Sequence, residues 1–224
     1  QLRDWLARGA AGALPQPPDP AWPFPFRPAF LVGFPRSGTT LLDTMLDIHP
    51  QVVSIEEQPT LETVSDLLLD ARGGYPGGLA QLAPEDLARG HRLYREAVQR
   101  WVPEGFDGVL LDKLPFRLLR APLILRLWPQ APILFAQRHP CDVVLSNVMQ
   151  QFRPNEAFVH FDTIERAARM YDQVMSAWRQ ALETLPLRVQ PVRYEALVQS
   201  PETVLAQACA ALGIELQAQM LDSA

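Results

Sequence analysis

Short apolar or β-branched runs at 30–34, 51–55, 109–112, 132–136 and 187–192 alternate along this chain with stretches in which apolar residues return every three or four positions. Strands covered on both faces read as continuous apolar runs, and helices lying on such a sheet carry a stripe with a period near 3.6. Leu41, Leu42, Met45, Leu46 and Ile48 make such a stripe, stopped at His49-Pro50. Leu118, Leu119, Ile124 and Leu127 make a second between 116 and 128, and Val143, Val144 and Met149 a third from about 141. A long helix opens at Asp162 or Thr163 and carries Ile164, Ala168, Tyr171, Met175, Trp178 and Leu182 toward Pro186. Ser200-Pro201-Glu202 reads as an N-cap, a proline at the first helical position and a first-turn acid, leading a helix over Val204, Leu205, Ala208, Cys209 and Leu212 to Gly213. Strand and helix alternating in this way predict an α/β fold, a mostly parallel sheet flanked by helices in three layers, α/β/α.

Both ends of the first strand's neighbourhood depart from this rhythm. Residues 1–11 suit a short helix, after which Pro15, Pro17, Pro18, Pro20, Pro23, Pro25 and Pro28 arrive in quick succession. Each proline removes a donor and restricts the residue before it, so neither a helix nor a central strand is expected there. Residues 1–28 are therefore read as an extended lead-in, with Trp22, Phe24 and Phe26 packing along the surface of a domain at 29–224. Residues 60–108 are helical in pattern but broken by Gly73-Gly74, Pro76-Gly77-Gly78 and Pro84. In an α/β fold this is an insertion placed to shape an acceptor pocket; of its Tyr75, His91, Arg92, Tyr94 and Arg95, the charged ones are expected in solvent.

A chain of 224 residues can bury a full core as one domain. Its 20 basic and 25 acidic residues give a net charge of -5, which offers nucleic acid no general attraction, so an anionic ligand must be met by a local pocket. Cys141 and Cys209 are too few and too far apart for a disulfide scaffold or a metal knuckle, and Cys209, inside an apolar stripe, reads as a buried thiol. A reducing, cytoplasmic setting is the expectation, since no apolar run reaches the roughly 18 residues of a membrane span.

The chemistry begins where the 30–34 run breaks into Pro35-Arg36-Ser37-Gly38-Thr39-Thr40 before helical spacing resumes at Leu41. Gly33 and Gly38 let the backbone fold closely, and the first amides of the next helix have no carbonyl partners, so strand, turn and helix make a cradle for an anion. Gly33, Gly38 and Thr40 stand in the frame of a triphosphate-binding loop, but Thr39 occupies its lysine position. That lysine is the cation that reaches the outer phosphates of a triphosphate. Here the cation is Arg36, and Ser37, Thr39 and Thr40 add hydroxyls, a set better suited to one phosphate or sulfate-like group than to metal-bound ATP. An ordinary Gly-rich connection is the plain alternative.

Further strand ends fall at the same edge of a parallel sheet. The 51–55 run opens into Glu56-Glu57, where a carboxylate can take a proton from a nucleophile or simply cap the next helix. Lys113 follows the 109–112 run and can neutralise a departing phosphate oxygen, or be an ordinary strand-end lysine. Arg138, His139-Pro140 and a helix carrying Ser146 repeat the strand, turn and helix of the first loop and can hold a second phosphate; a plain salt bridge and a solvent-facing serine are the alternative. Arg193-Tyr194-Glu195 closes the last strand. His49 reads as a helix-end residue near unpaired carbonyls rather than a base.

Together these motifs resemble the sulfotransferases that use 3′-phosphoadenosine 5′-phosphosulfate, above all protein-tyrosine sulfotransferases and the bacterial sulfotransferase domains associated with tetratricopeptide repeats, over about residues 29 to 214. The resemblance implies a P-loop-like α/β domain that transfers a sulfuryl group to an acceptor hydroxyl. It implies that Arg36, Ser37, Gly38, Thr39 and Thr40 bind the 5′-phosphosulfate, that Arg138 and Ser146 hold the 3′-phosphate, and that Tyr194 lies near the cofactor. Glu57 is then the general base, with Glu56 beside it, and Arg36 and Lys113 stabilise the leaving phosphate of the product 3′-phosphoadenosine 5′-phosphate. A small molecule, a sugar or a peptide tyrosine is the expected acceptor, without metal or nucleic acid, and a homodimer is compatible with the pattern. His139 stands where the family has an acidic residue, and Gln58 where its tyrosine-modifying members have threonine. The family's C-terminal segment, which closes over the adenosine, is expected beyond Ala224, so that 29–224 is read as C-terminally incomplete. A phosphotransferase of the P-loop kinase kind and a non-catalytic interaction module with a degraded cofactor site are the rival readings.

Overall fold

The computed structural model of the chain describes residues 2–8, 24–150 and 161–222. Its strands are β1 (Arg27–Gly33), β2 (Val52–Glu56), β3 (Val109–Lys113), β4 (Pro132–Gln137) and β5 (Arg188–Arg193). All pair in parallel, in the order β2-β3-β1-β4-β5. The helices are α1 (Leu2–Ala7), α2 (Thr39–Asp47), α3 (Thr60–Leu69), α4 (Pro84–Val98), α5 (Ala121–Leu127), α6 (Pro140–Met149), α7 (Ile164–Thr184), α8 (Tyr194–Gln199) and α9 (Pro201–Leu212).

Alternation along the strands divides the interior into two cores. Phe30, Val32, Ile55, Leu110, Ile133 and Phe135 face one side, where α1 and α3 to α7 contribute residues such as Trp5, Leu61, Tyr94, Leu123, Val143 and Trp178. Ala29, Leu31, Val52, Leu111, Leu134 and Val192 face the other, covered by Leu42, Met45 and Leu46 of α2, Leu197 of α8 and Leu205 and Leu212 of α9. The result is the expected three-layer α/β/α arrangement. The chain leaves β1 toward β2 and leaves β4 toward β5, so connections diverge at the carboxyl ends of these adjacent central strands. That divergence opens the crevice in which parallel sheets hold ligands.

Several local expectations are corrected. β1 starts at Arg27 and contains Pro28, although proline density argued against a central strand. Pairing with β3 begins at Arg27, whose N–H donates to Gly108 O, whereas pairing with β4 begins only at Phe30. In a parallel ladder successive N–H groups alternate sides, so the donor that Pro28 lacks faces the side β4 has not yet reached. Phe24 and Phe26 stack with centroids 4.6 Å apart and are buried in the core, not laid on a surface. Trp22 and the earlier prolines lie outside the described residues.

The helix expected over 116–128 is a 3₁₀ stretch, Pro115–Arg120, followed by α5. Pro122 in the first turn of α5 has no N–H to continue an α ladder from the preceding segment. Thr163, of the two candidates, caps α7 by accepting from Arg166 N–H at 3.2 Å. Ser200 occupies the N-cap position of α9 but its side chain makes no capping bond, leaving Pro201 as the entry signal. In the helical insertion, Tyr94 is wholly buried and donates to Asp112 Oδ2 at 3.0 Å, so it belongs to the core and not to an acceptor pocket.

Candidate active site

The loop after β1 is held open by its neighbours on both sides. Phe34 anchors it in an aromatic cluster with Phe116, Phe161 and Tyr171, at centroid distances of 5.3, 5.8 and 5.0 Å. Asn147 of α6 donates from Nδ2 to Pro35 O at 2.9 Å, and Ser37 donates to Phe34 O from its N–H at 3.1 Å and its Oγ at 2.6 Å. Arg36, between the two pinned residues, has φ 71° and an exposed side chain. Gly38 follows with φ 96°, and a Cβ there would lie 2.5 Å from Tyr194 Cδ2, so glycine admits both the turn and the ring. Thr39 and Thr40 then start α2 and turn its unpartnered amides toward the crevice. Ser37, expected to offer a hydroxyl to an anion, instead spends it bracing the loop.

Glu57 is pinned more tightly still. Its N–H donates to Lys113 O at 2.7 Å, which extends the β2–β3 ladder by one bond, and the next carbonyl, Gln58 O, accepts from Arg117 at 2.8 Å. Between these two bonds the backbone takes φ 51°. Among the described residues, Arg36 and Glu57 are the two non-glycine positions in the left-handed region, an arrangement that costs on the order of 1–3 kcal/mol each and concentrates at functional sites. Lys113, fully buried, donates from Nζ to Glu56 Oε1 at 2.6 Å and Glu57 Oε1 at 3.2 Å. Its ammonium is thus committed to the paired glutamates, and it is absent from the lining of the cavity beside the loop.

Beneath Gln58 lies a buried polar network that sequence reading missed. Arg117 pairs with Asp112, meets Glu62 Oε2 at 2.7 Å, and reaches Gln58 O; Asp112 also accepts from Thr60 Oγ1 at 2.6 Å and from Tyr94. Burial opposes the guanidinium's charge, but Asp112 and Glu62 outweigh it and hold Arg117 above its usual range. The only hint in the sequence is a carboxylate closing the apolar run 109–112.

Across the crevice, Arg138 leaves β4 and lies with its guanidinium carbon 4.6 Å from the Tyr194 ring centroid. Its Nε is buried without a hydrogen-bond partner among the described residues, and Asp142 Oδ2 is 4.0 Å away. Glu195 accepts from His139 N–H at 2.8 Å, a bond that lowers the carboxyl's pKa and ties α8 to the start of α6. Ser146, expected to work with Arg138, accepts instead from Arg36 Nε at 3.1 Å, although it shares with Arg138 the lining of an outer cavity of about 410 Å³. His49 accepts from Gln51 N–H at Nδ1 and donates from Nε2 to Glu215 O at 2.9 Å, which makes it the helix-end residue expected.

These elements enclose a cavity of about 370 Å³ whose lining includes Arg36, Gly38, Thr39, Thr40, Glu57, Arg138 and Tyr194, with Leu114, Pro115 and Phe116 as an apolar wall. β2 is separated from β1 by β3, yet Glu57 and Arg36 line the same space. Two cations and a helix start on one side, a carboxylate on the other and an apolar floor together suit an anion beside a neutral group that must lose a proton.

Residues 28–218 match the sulfotransferase family. The chain is 28% identical over 189 residues to an uncharacterised protein of Aquifex aeolicus, covering 80% of this chain and 24% of that protein. It is 27% identical over 199 residues to protein-tyrosine sulfotransferase 2 of Gallus gallus, covering 83% and 50%. The chain therefore spans half or less of the length of the curated relatives it matches. Among solved structures, the sulfotransferase domain of the Synechococcus PCC 7002 olefin synthase superposes with a TM-score of 0.55 at 25% identity, covering 93% of this chain and 81% of that domain.

Proposed function

The chain belongs to the sulfotransferase family, and we propose that it transfers the sulfuryl group of 3′-phosphoadenosine 5′-phosphosulfate to an acceptor hydroxyl. The observation that carries this reading is the convergence of Arg36 and Glu57, both in strained backbone, on one cavity with the start of α2. The residues present fit such a donor. Gly38 lets the Tyr194 ring close against the loop, Arg138 keeps a buried Nε without a hydrogen-bond partner among the described residues, and Arg36 stands at the mouth of the loop.

In this proposal the amides of Thr39 and Thr40, their hydroxyls and Arg36 hold the 5′ end of the nucleotide, and Arg138, with Ser146 beside it, holds the 3′-phosphate. Tyr194 backs Arg138 and closes the loop over Gly38. When bound, the donor supplies a sulfuryl group on a phosphate leaving group. Glu57 accepts the proton of the acceptor hydroxyl as its oxygen bonds to sulfur, and Arg36 meets the negative charge left on the phosphate. Lys113 acts from behind, fixing the Glu57 carboxylate at 3.2 Å. A direct role for Lys113 at the leaving phosphate requires its ammonium to exchange this partner for the phosphate.

Leu114, Pro115 and Phe116 offer an acceptor an apolar contact next to Glu57. That favours a hydroxyl carried on an aromatic or hydrocarbon face, and the similarity to a protein-tyrosine sulfotransferase is a reason to test peptide tyrosine beside small phenols and sugars. The decisive experiment is calorimetry with 3′-phosphoadenosine 5′-phosphate, with adenosine, and with ATP and magnesium. The expected result is binding of the bisphosphate, with stabilisation of about 2.7 kcal/mol at a hundredfold excess over Kd and no gain from magnesium. Equal binding of adenosine, or preference for ATP with magnesium, would overturn the reading.

A further inference from the structure

A third carboxylate lies within electrostatic reach of Lys113, and the transfer chemistry does not use it. Asp43 is on α2, one turn beyond the Thr39–Thr40 cradle, and is 6% exposed. Its Oδ1 accepts from Ser54 Oγ on β2, two residues before Glu56. Ser54 N–H also donates to Asp47 Oδ1 at 2.9 Å, so this one serine joins β2 to α2 twice. In the β2–β3 register Ser54 lies beside Leu111 and Glu56 beside Lys113, which places Ser54, Glu56 and Lys113 on the face that α2 covers. The charged groups facing Asp43 are Lys113 from β3, Glu56 from β2 and Asp47 from its own helix.

We propose that Asp43 is a positioning residue of the site: with Ser54 it joins the helix carrying the anion cradle to the strand that leads into Glu57, and its charge opposes anion binding at the loop. This rests on the loop being an anion site. Both charge states are accommodated. When Asp43 is ionised, the Ser54 hydroxyl donates to it; when Asp43 takes a proton, it can donate to Ser54, whose own hydroxyl has Leu111 O at 3.4 Å as an alternative acceptor. Burial is the main cause that lifts the Asp43 pKa to about 6, opposed by the Ser54 hydrogen bond and by Lys113. Asp43 therefore changes charge in a range where a bound sulfate does not.

The test compares the wild-type chain with Asp43→Asn, which keeps an acceptor for Ser54 and removes the charge. Melting is followed from pH 5 to pH 8 against inorganic sulfate, whose charge is constant over that range. In the wild type the sulfate concentration giving half the full protection should rise about fivefold from pH 5 to pH 8, the order expected for one added unit charge at partly screened distance. In Asp43→Asn it should stay near the wild-type value at pH 5 throughout. Without sulfate, the melting temperature of Asp43→Asn relative to wild type should increase with pH, because a carboxyl whose folded pKa is raised loses its favourable contribution as pH climbs through that value. The same pH dependence in both proteins would overturn the role of Asp43 while leaving the anion site intact. No protection of either protein by sulfate would overturn both this inference and the transferase reading.

Discussion

Replacing Arg117 by methionine removes the cation that pairs with buried Asp112 and with Glu62, and cuts the bond that fixes the carbonyl beside Glu57. Asp112 and Arg117 are both 0% exposed, and after the change the Asp112 carboxylate keeps only Thr60 Oγ1 at 2.6 Å and Tyr94 OH at 3.0 Å. Breaking a buried pair by removing one partner typically costs about 3–5 kcal/mol, because the other charge stays behind without compensation. For a domain of this size each kcal/mol is worth roughly 2–4 °C, so the melting temperature at pH 7 should fall by roughly 6–20 °C. Adding Asp112→Asn, which removes the stranded charge but keeps an acceptor for Thr60 and Tyr94, should restore much of the loss. Turnover should fall further than donor binding, because Gln58 O loses its 2.8 Å bond and Glu57 loses one of its fixed neighbours. Thermal melts and urea titrations of the two single variants and the double variant form a cycle that isolates the pair. A melting temperature within 2 °C of wild type, at roughly 0.5–1 kcal/mol on the same scale, would refute the claim that this cluster holds the site together.

Two further outcomes are expected. Arg138→Ala should weaken binding of 3′-phosphoadenosine 5′-phosphate by about 1.5–3 kcal/mol while affecting adenosine 5′-phosphate little, and calorimetry with both would show an unchanged preference if Arg138 does not meet the 3′-phosphate. Glu195→Gln should destabilise the fold at pH 7; because the Glu195 pKa is lowered by the His139 N–H, the difference from wild type should close as pH falls through that lowered value, and a gap constant down to pH 3 would contradict the bond's role.

What the sequence conveys is mostly local. The apolar run into β1, the glycines around Arg36 and the stripes of α2 and α7 announce the layers and the anion loop because each depends on neighbours within one turn or one strand. The corrections arise where a partner is distant. Pro28 fits a central strand because of where β4 begins, and no window around Pro28 contains that fact. Tyr94 and Asp112 meet across 18 positions, Arg117 and Glu62 across 55, and Arg36 and Ser146 across 110, so burial turned a tyrosine offered for an acceptor pocket into a core donor and gave Ser146 an unforeseen partner. Glu57 and Lys113 were legible as strand-end residues, but their ion pair depends on the β2–β3 register. The left-handed backbone at Arg36 and Glu57, the strongest mark of the site, has no signature in residue type, since neither is a glycine.

The base assignment is tested most directly by Glu57→Gln, assayed with saturating labelled donor and the best acceptor from a screen of phenols, sugars and tyrosine peptides. Binding of 3′-phosphoadenosine 5′-phosphate should stay within about twofold of wild type, while turnover falls by roughly 10² to 10⁴ fold, as expected when a positioned proton acceptor is lost. Glu56→Gln, which removes only Lys113's other partner, should be much milder. Turnover near the wild-type rate in Glu57→Gln, with collapse instead in His139→Ala, would contradict the assignment of Glu57 as the base.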